Sequence, residues 1–226
     1  KGIDVNNIKM IIIQLSQIEV FAFTIERLKG YLTESNFNSI LTQLHTNNVT
    51  NGVIDGIICL ISLQIGLINI LDELKIEYDG LIGFSLGQIS CAYADRCISE
   101  REAILYSYII GQFFEQQNIS FTNDDNNNSI SCPLIDKQQA TSLINLLNNV
   151  SVITHQPSKS SKWLSTYYNN ESSKLVSFET LAEYLTHSLI YRAKIDQALK
   201  LIKFKSNLLH IGYPQSLSQL LTPQDN

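Results

Sequence analysis

LIGFSLGQISCAYADRC, residues 81–97, is the stretch on which the reading of this chain turns. At its centre Gly83-Phe84-Ser85-Leu86-Gly87 has the G-x-S-x-G spacing, in which two glycines permit a sharp strand-to-helix turn with a serine at its apex. Residues 76–83 read as a loop entering a short buried strand, and Leu86 to Ala94 as the helix that follows, so Ser85 falls at the junction. A serine hydroxyl is a weak nucleophile until a base takes its proton and backbone N–H groups meet the oxyanion that forms. The turn supplies a helix N-terminus where that charge would develop. A tight turn with a purely structural role fits the same five residues.

Upstream, Ile13, Ile18, Phe21, Ile25 and Leu28 recur at helical spacing, with Gly30 as a stop, and a second short helical pattern covers Phe37 to Leu44. The run VIDGIICLISLQIGLINIL, residues 53–71, approaches membrane-spanning length, but Asp55, Ser62, Gln64 and Asn69 interrupt it, and it reads as a buried helix ending near Lys75. Downstream, Ser99-Glu100-Arg101-Glu102 has the form of a capping box opening a helix to about Phe114. Residues 117–133 are rich in Asn and Asp and read as a loop. Beyond it Ile135 to Leu147 and Phe178 to Leu201 read as helices. Val150 to Thr154, Lys162 to Ser165 and Asn207 to Gly212 read as strands. Strands alternating with helices imply a mainly parallel sheet covered on both faces.

The 226 residues suffice for one domain with a filled core, and 44% apolar with 16% charged residues is ordinary globular composition. A net charge of −5 without a basic cluster argues against nucleic acid and against anionic membrane surfaces as partners. Cys59, Cys91, Cys97 and Cys132 show neither C-x-x-C spacing nor disulfide-scaffold density, which fits a reducing, cytoplasmic setting. His45, His155, His187 and His210 form no metal-ligand spacing. The first residue is Lys, and the chain reads as an internal piece of something longer.

The run QIGLINILDELKIEYDGLIGFSLGQISCAYADRCISEREAILYSYIIGQ, residues 64–112, resembles the malonyl/acetyl transferase domain of animal fatty acid synthases, whose elbow reads GHSLGE. The resemblance continues through QLSQIEVFAFTIERL, residues 14–28, SKWLSTYY, residues 161–168, and AEYLTHSLIYRAKIDQAL, residues 182–199. It implies a three-layer α/β/α fold with a short mainly parallel sheet and a nucleophile elbow, corresponding to the large acyltransferase subdomain. It also implies a single domain over residues 1–226: an N-terminal part, 1–116, holding the elbow, a loop, 117–133, where the small ferredoxin-like subdomain is missing, and a C-terminal part, 134–226. The implied chemistry moves an acyl group from coenzyme A, a substrate and not a cofactor, through an acyl-serine to an acyl carrier protein domain, with ketosynthase and other synthase domains as neighbours. Ser85 matches the nucleophile and the N–H of Leu86 one oxyanion donor.

Other parts of that machinery depart from the family pattern. Ile130, in Ile130-Ser131-Cys132-Pro133-Leu134, stands where the family carries its histidine base, and Ile110 where it carries the arginine that pairs with the malonyl carboxylate. Residues 2–7 lack the glycine-rich loop that completes the oxyanion hole, and Phe84 and Gln88 replace the elbow's His and Glu. His187 lies beside Ser188, whose position in the family orients the histidine, and is the candidate substitute base. His210 falls in the expected last strand, with a hydrogen-bonded structural role, and Asp95, Arg96 and Glu100 to Glu102 read as exposed charges. Three readings stay open: an acyltransferase with weak or absent turnover, a working acyltransferase or serine esterase with a rebuilt base, and a non-catalytic interaction module of a synthase.

Overall fold

The computed structural model describes residues 4–37, 41, 52–119, 123–124, 129–130, 135–150, 160–167, 180–190, 198–202 and 206–212. Asp4 caps α1 (Val5–Leu15) by accepting from Asn7 N–H at 3.1 Å. Residues 5–7, where the family's glycine-rich loop would fall, are therefore the first turn of a helix, because an N-cap aspartate is followed by the apolar spacing Val5, Ile8, Ile12 that buries one face.

The single helix expected around Met10 to Leu28 is two. Backbone at Ile18 is extended, and α2 (Glu19–Glu34) starts anew there and runs through Gly30. Gly30 does not stop the helix: a side chain there would meet nothing, and Leu32 one half-turn later is fully buried, so packing holds the backbone helical past the glycine. The termination is a Schellman motif at Asn36, with Phe37 N–H bonded to Leu32 O and Asn36 N–H to Thr33 O.

α3 (Val53–Glu73) is long and apolar enough to cross a membrane, and in this fold it is the central helix, packed by α1, α2, α4 (Gly87–Ala94) and α5 (Glu100–Gln116). Its apolar residues lie on several faces because its neighbours surround it. Asn69, half-buried, donates from its amide to Thr24 Oγ1 at 2.8 Å and to Glu100 at 3.1 Å. Arg27 forks onto both oxygens of Glu100 at 2.9 Å, so Glu100 ties α2, α3 and α5 together instead of standing exposed. The expected capping box is present: Ser99 and Glu102 exchange bonds, and Glu102 is buried by them.

Two two-residue ladders are described. β1 (Leu81–Ile82) pairs in parallel with β4 (Trp163–Leu164), Leu81 opposite Trp163. β2 (Asn123–Asp124) and β3 (Ser129–Ile130) pair antiparallel, so the segment expected as a plain loop contains a hairpin. α6 (Lys137–Asn148) opens with a second capping box, Asp136 and Gln139, and packs on α7 (Leu181–Ile190) and α5. Residues 206–212 form no strand: Leu208 and Leu209 are exposed, while Ile211 packs against the core and accepts at its carbonyl from Gln64 Nε2 at 3.0 Å. His210 thus sits in exposed coil, not in a last strand. Of the strand expected at Val150 to Thr154, Val150 belongs to the turn after α6, and residues 151–154 lie outside the described residues, as do His45, His155 and Cys132.

Candidate functional site

The β1–α4 junction builds the elbow. Ser85 adopts φ 49°, the left-handed region that L-residues avoid. The other non-glycine residues described there (Asn36, Lys75, Arg96 and Asn118) all follow helix C-caps, so Ser85 alone among them sits before a helix. Gly83 allows this turn to fold tightly: a Cβ there would lie 2.8 Å from Gly87 O and 2.9 Å from Cys91 Sγ. Gly87 is different, since a Cβ on it would meet nothing within 4 Å.

Helix α4 is wound from its first turn by Gly87 N–H to Phe84 O at 2.8 Å, Gln88 N–H to Ser85 O at 3.0 Å and Ile89 N–H to Leu86 O at 3.0 Å. Among the described residues, the N–H groups of Ser85 and Leu86 donate to no acceptor. They stand at the positive end of the helix, beside the half-buried Ser85 side chain.

Below the serine lies a buried amide network that sequence reading missed. Gln88, fully buried, donates from Nε2 to Gly83 O and to Thr166 Oγ1, each at 2.8 Å, and accepts at Oε1 from Trp163 Nε1 at 2.8 Å and from Tyr184 OH at 3.2 Å. Thr166 Oγ1 donates to the same Gly83 O at 2.8 Å, and Tyr184 OH lies 3.1 Å from the hydroxyl of Ser165. The Trp163 and Tyr184 rings meet edge-to-face, with centroids 5.3 Å apart. Asp95, expected as an exposed charge, accepts from the N–H of Ser160 at 2.7 Å and from its hydroxyl, pinning the turn that leads into β4. The available signal for these contacts was the KWLST run, whose polar residues sit beside a buried tryptophan.

His187 lies on α7, which packs against α4, with its ring 5.9 Å from that of Tyr167 at the end of the β4 segment. No hydrogen bond joins it to Ser85, whose hydroxyl is bonded to none of the described residues. Ile110 is completely buried within the apolar core of α5, so the place of the expected arginine is packing space. Ile130 is held in the β2–β3 hairpin. Among the described residues no cluster of His, Cys, Asp and Glu has the makings of a metal site.

A separate concavity of about 470 Å³ opens between α2, α3 and α4, lined by Val20, Phe23, Arg27, Tyr93 and Arg96 among others. Its two guanidiniums are engaged: hydrogen bonding to Glu100 raises the pKa of Arg27, and hydrogen bonding to Asp72, at 2.6 Å, raises that of Arg96.

No protein-family model matches the chain. In sequence it is 32% identical over 106 residues to the highly reducing polyketide synthase sthA of Phaeosphaeria nodorum, covering 43% of this chain and 4% of that protein. It is 28% identical over 161 residues to the highly reducing polyketide synthase ntnH of Nectria sp, covering 71% of this chain and 6% of that protein. The chain thus spans a few per cent of the length of these curated relatives. In structure it is similar to the acyltransferase domain of the polyketide synthase PpsC of Mycobacterium tuberculosis, with a TM-score of 0.59 at 12% identity over 82% of this chain and 72% of that one. These relatives carry the resemblance at the level of an acyltransferase-like domain and not at that of the animal fatty acid synthase type. The chain has the acyltransferase-domain fold.

Proposed function

We propose that the chain is an acyl-transfer domain of a multidomain synthase in which the nucleophile elbow persists and turnover is reduced. Ser85 Oγ would attack the thioester carbonyl of an acyl-coenzyme A, expel the coenzyme A thiol as an acyl-serine forms, and pass the acyl group to the phosphopantetheine thiol of an acyl carrier protein domain. The observation that carries this reading is Ser85 at φ 49° before α4, with the Leu86 N–H directed to no described acceptor. The motif run of residues 64–112 favours acetyl or malonyl as the group carried, as in fatty acid synthases. The buried Ile110 removes the charge partner a malonyl carboxylate needs and favours acetyl. Ketosynthase and other synthase domains are the expected neighbours, in a cytoplasmic setting.

Reduced turnover follows from the base. General-base catalysis contributes about 10²–10⁴-fold and requires a proton acceptor at hydrogen-bond distance. No described histidine is bonded to Ser85. The test is intact-mass analysis after incubation with acetyl- or malonyl-coenzyme A. A slow adduct on the wild type, absent from Ser85→Ala, is expected. Rapid stoichiometric charging would overturn the reduction in turnover. No adduct under any condition would overturn acyl transfer and leave carrier-domain docking, read separately by binding, as the function. An adduct undiminished in His187→Ala removes His187 as its base.

A further inference from the structure

A carboxamide has two donor hydrogens and one doubly accepting oxygen, and Gln88 uses all of them without contact with solvent. Its orientation is fixed by its partners. An indole N–H only donates and a peptide carbonyl only accepts, so a flipped amide would face Trp163 and Gly83 with the wrong atoms. The grip is on the peptide oxygen two residues before Ser85, on the side of the turn that sets the direction in which β1 delivers the serine. Its other end is tied to β4 through Trp163 and to α7 through Tyr184, three residues before His187.

We propose that Gln88 is a positioning residue for Ser85. It clamps the Gly83 carbonyl, holds the strained serine in its left-handed conformation, and couples the elbow to the helix that carries His187. The proposal rests on the acyl-transfer reading only for its consequence on acylation; the clamp itself is readable without chemistry. An ionised carboxylate in the same place would present acceptors to the Gly83 carbonyl and to Thr166, both of which face donors in the native network. Protonated, it would restore one donor and keep the oxygen that accepts from Trp163. Gln88→Glu therefore converts the clamp into one that holds at low pH and releases as pH rises, because burial and opposed acceptors both raise the carboxyl's pKa.

Trp163 is the only tryptophan of the chain and bonds directly to Gln88, so its emission reports on the clamp. Among the described residues, the titratable group bonded to Gln88 is Tyr184 of α7; His187 follows three residues further along that helix, and Cys91 of α4 lies beneath Gly83. From β4, Trp163, Ser165 and Thr166 face it and carry no charge. The experiment follows Trp163 emission from pH 4.5 to 9 in wild type, Gln88→Glu, and Gln88→Glu in a His187→Ala background, with amide exchange at Ser85 to Gln88 and the acetyl adduct on Ser85 measured at both ends of the range. Expected are a flat wild-type profile, a single titration in both Gln88→Glu chains, exchange at the elbow at least tenfold faster above the midpoint, and an adduct rate at least tenfold lower there. Wild-type emission and exchange retained by Gln88→Glu at every pH would overturn the clamp. Adduct formation undiminished above the midpoint would overturn the positioning role. A titrating clamp with no adduct on any chain would sink acyl transfer while leaving the clamp intact. Should Gln88→Glu fail to fold, Thr166→Val removes one hydroxyl and must still accelerate exchange at the elbow but not in α2; equal exchange overturns the proposal.

Discussion

Ser85 stores backbone strain where chemistry would use it. A non-glycine residue in the left-handed region costs roughly 1–2 kcal/mol. Glycine at position 85 escapes most of that cost and loses some of the gain to its freer unfolded chain. Ser85→Gly is therefore expected to be about 1 kcal/mol more stable than Ser85→Ala in denaturant unfolding, and an equal or reversed order would show that the turn is unstrained. The two motif glycines should separate in the same assay. Gly83→Ala pushes a methyl group to within 2.8 Å of backbone and should cost about 2–3 kcal/mol. Gly87→Ala enters open space at a helix start and should be neutral or stabilising by up to about 1 kcal/mol. The G-x-S-x-G pattern shows two equivalent glycines, and only the surrounding contacts distinguish them.

The helices show which ends local rules fix. Asp4, Ser99 and Asp136 all cap helices by accepting an N–H three residues on, and the Ser99 box was readable because its bonds span three residues. Of the stops, that of α2 was hidden, because the helix ends on Asn36 in left-handed backbone with no glycine to mark it, whereas the ends expected near Lys75, Ala94 and Phe114 match those of α3, α4 and α5 to within two residues. Helix contacts decide the remaining glycines. A Cβ on Gly66 of α3 would lie 2.3 Å from the ring of Phe21, itself fully buried in α2. Gly66→Ala should cost about 2 kcal/mol, whereas Gly30→Ala, facing open space in α2, should stabilise by up to about 1 kcal/mol. Thermal melts of the pair test the packing of α2 on α3, and similar effects at both sites would contradict it.

At the scale of the molecule, burial of protonated thiol and phenol groups gives the fold an alkaline limit. Burial, with Asp55 adding to it, pushes the Cys59 thiol up to about 12. Burial also raises Tyr78, Tyr93 and Tyr108, assisted by Asp72, Glu100 and Glu115 respectively. In each case the unfolded chain loses its proton first. The stabilisation is thus complete below the ordinary thiol and phenol values, about 8.5 and 10, and is lost as pH rises through the native ones. Thermal stability should fall from about pH 9 upward, and Cys59→Ala should flatten the early part of that fall whatever its effect on absolute stability. A Tm unchanged between pH 8 and 11 would show that these groups are hydrated in solution.

The sequence by itself determined the elbow, the long buried helix at residues 53–73, the Ser99 box and the strands at Leu81 and Trp163, because each rests on residues within a few positions of one another. Tertiary structure decided the rest. It carried α2 past Gly30, left residues 206–212 without a partner strand, made Ile110 core, and drew Thr166, Trp163 and Tyr184 onto Gln88 across 78, 75 and 96 positions. A glutamine satisfied in the interior looks the same in one dimension as a glutamine in water. Its four hydrogen bonds exist only once burial has removed the water that would otherwise make them.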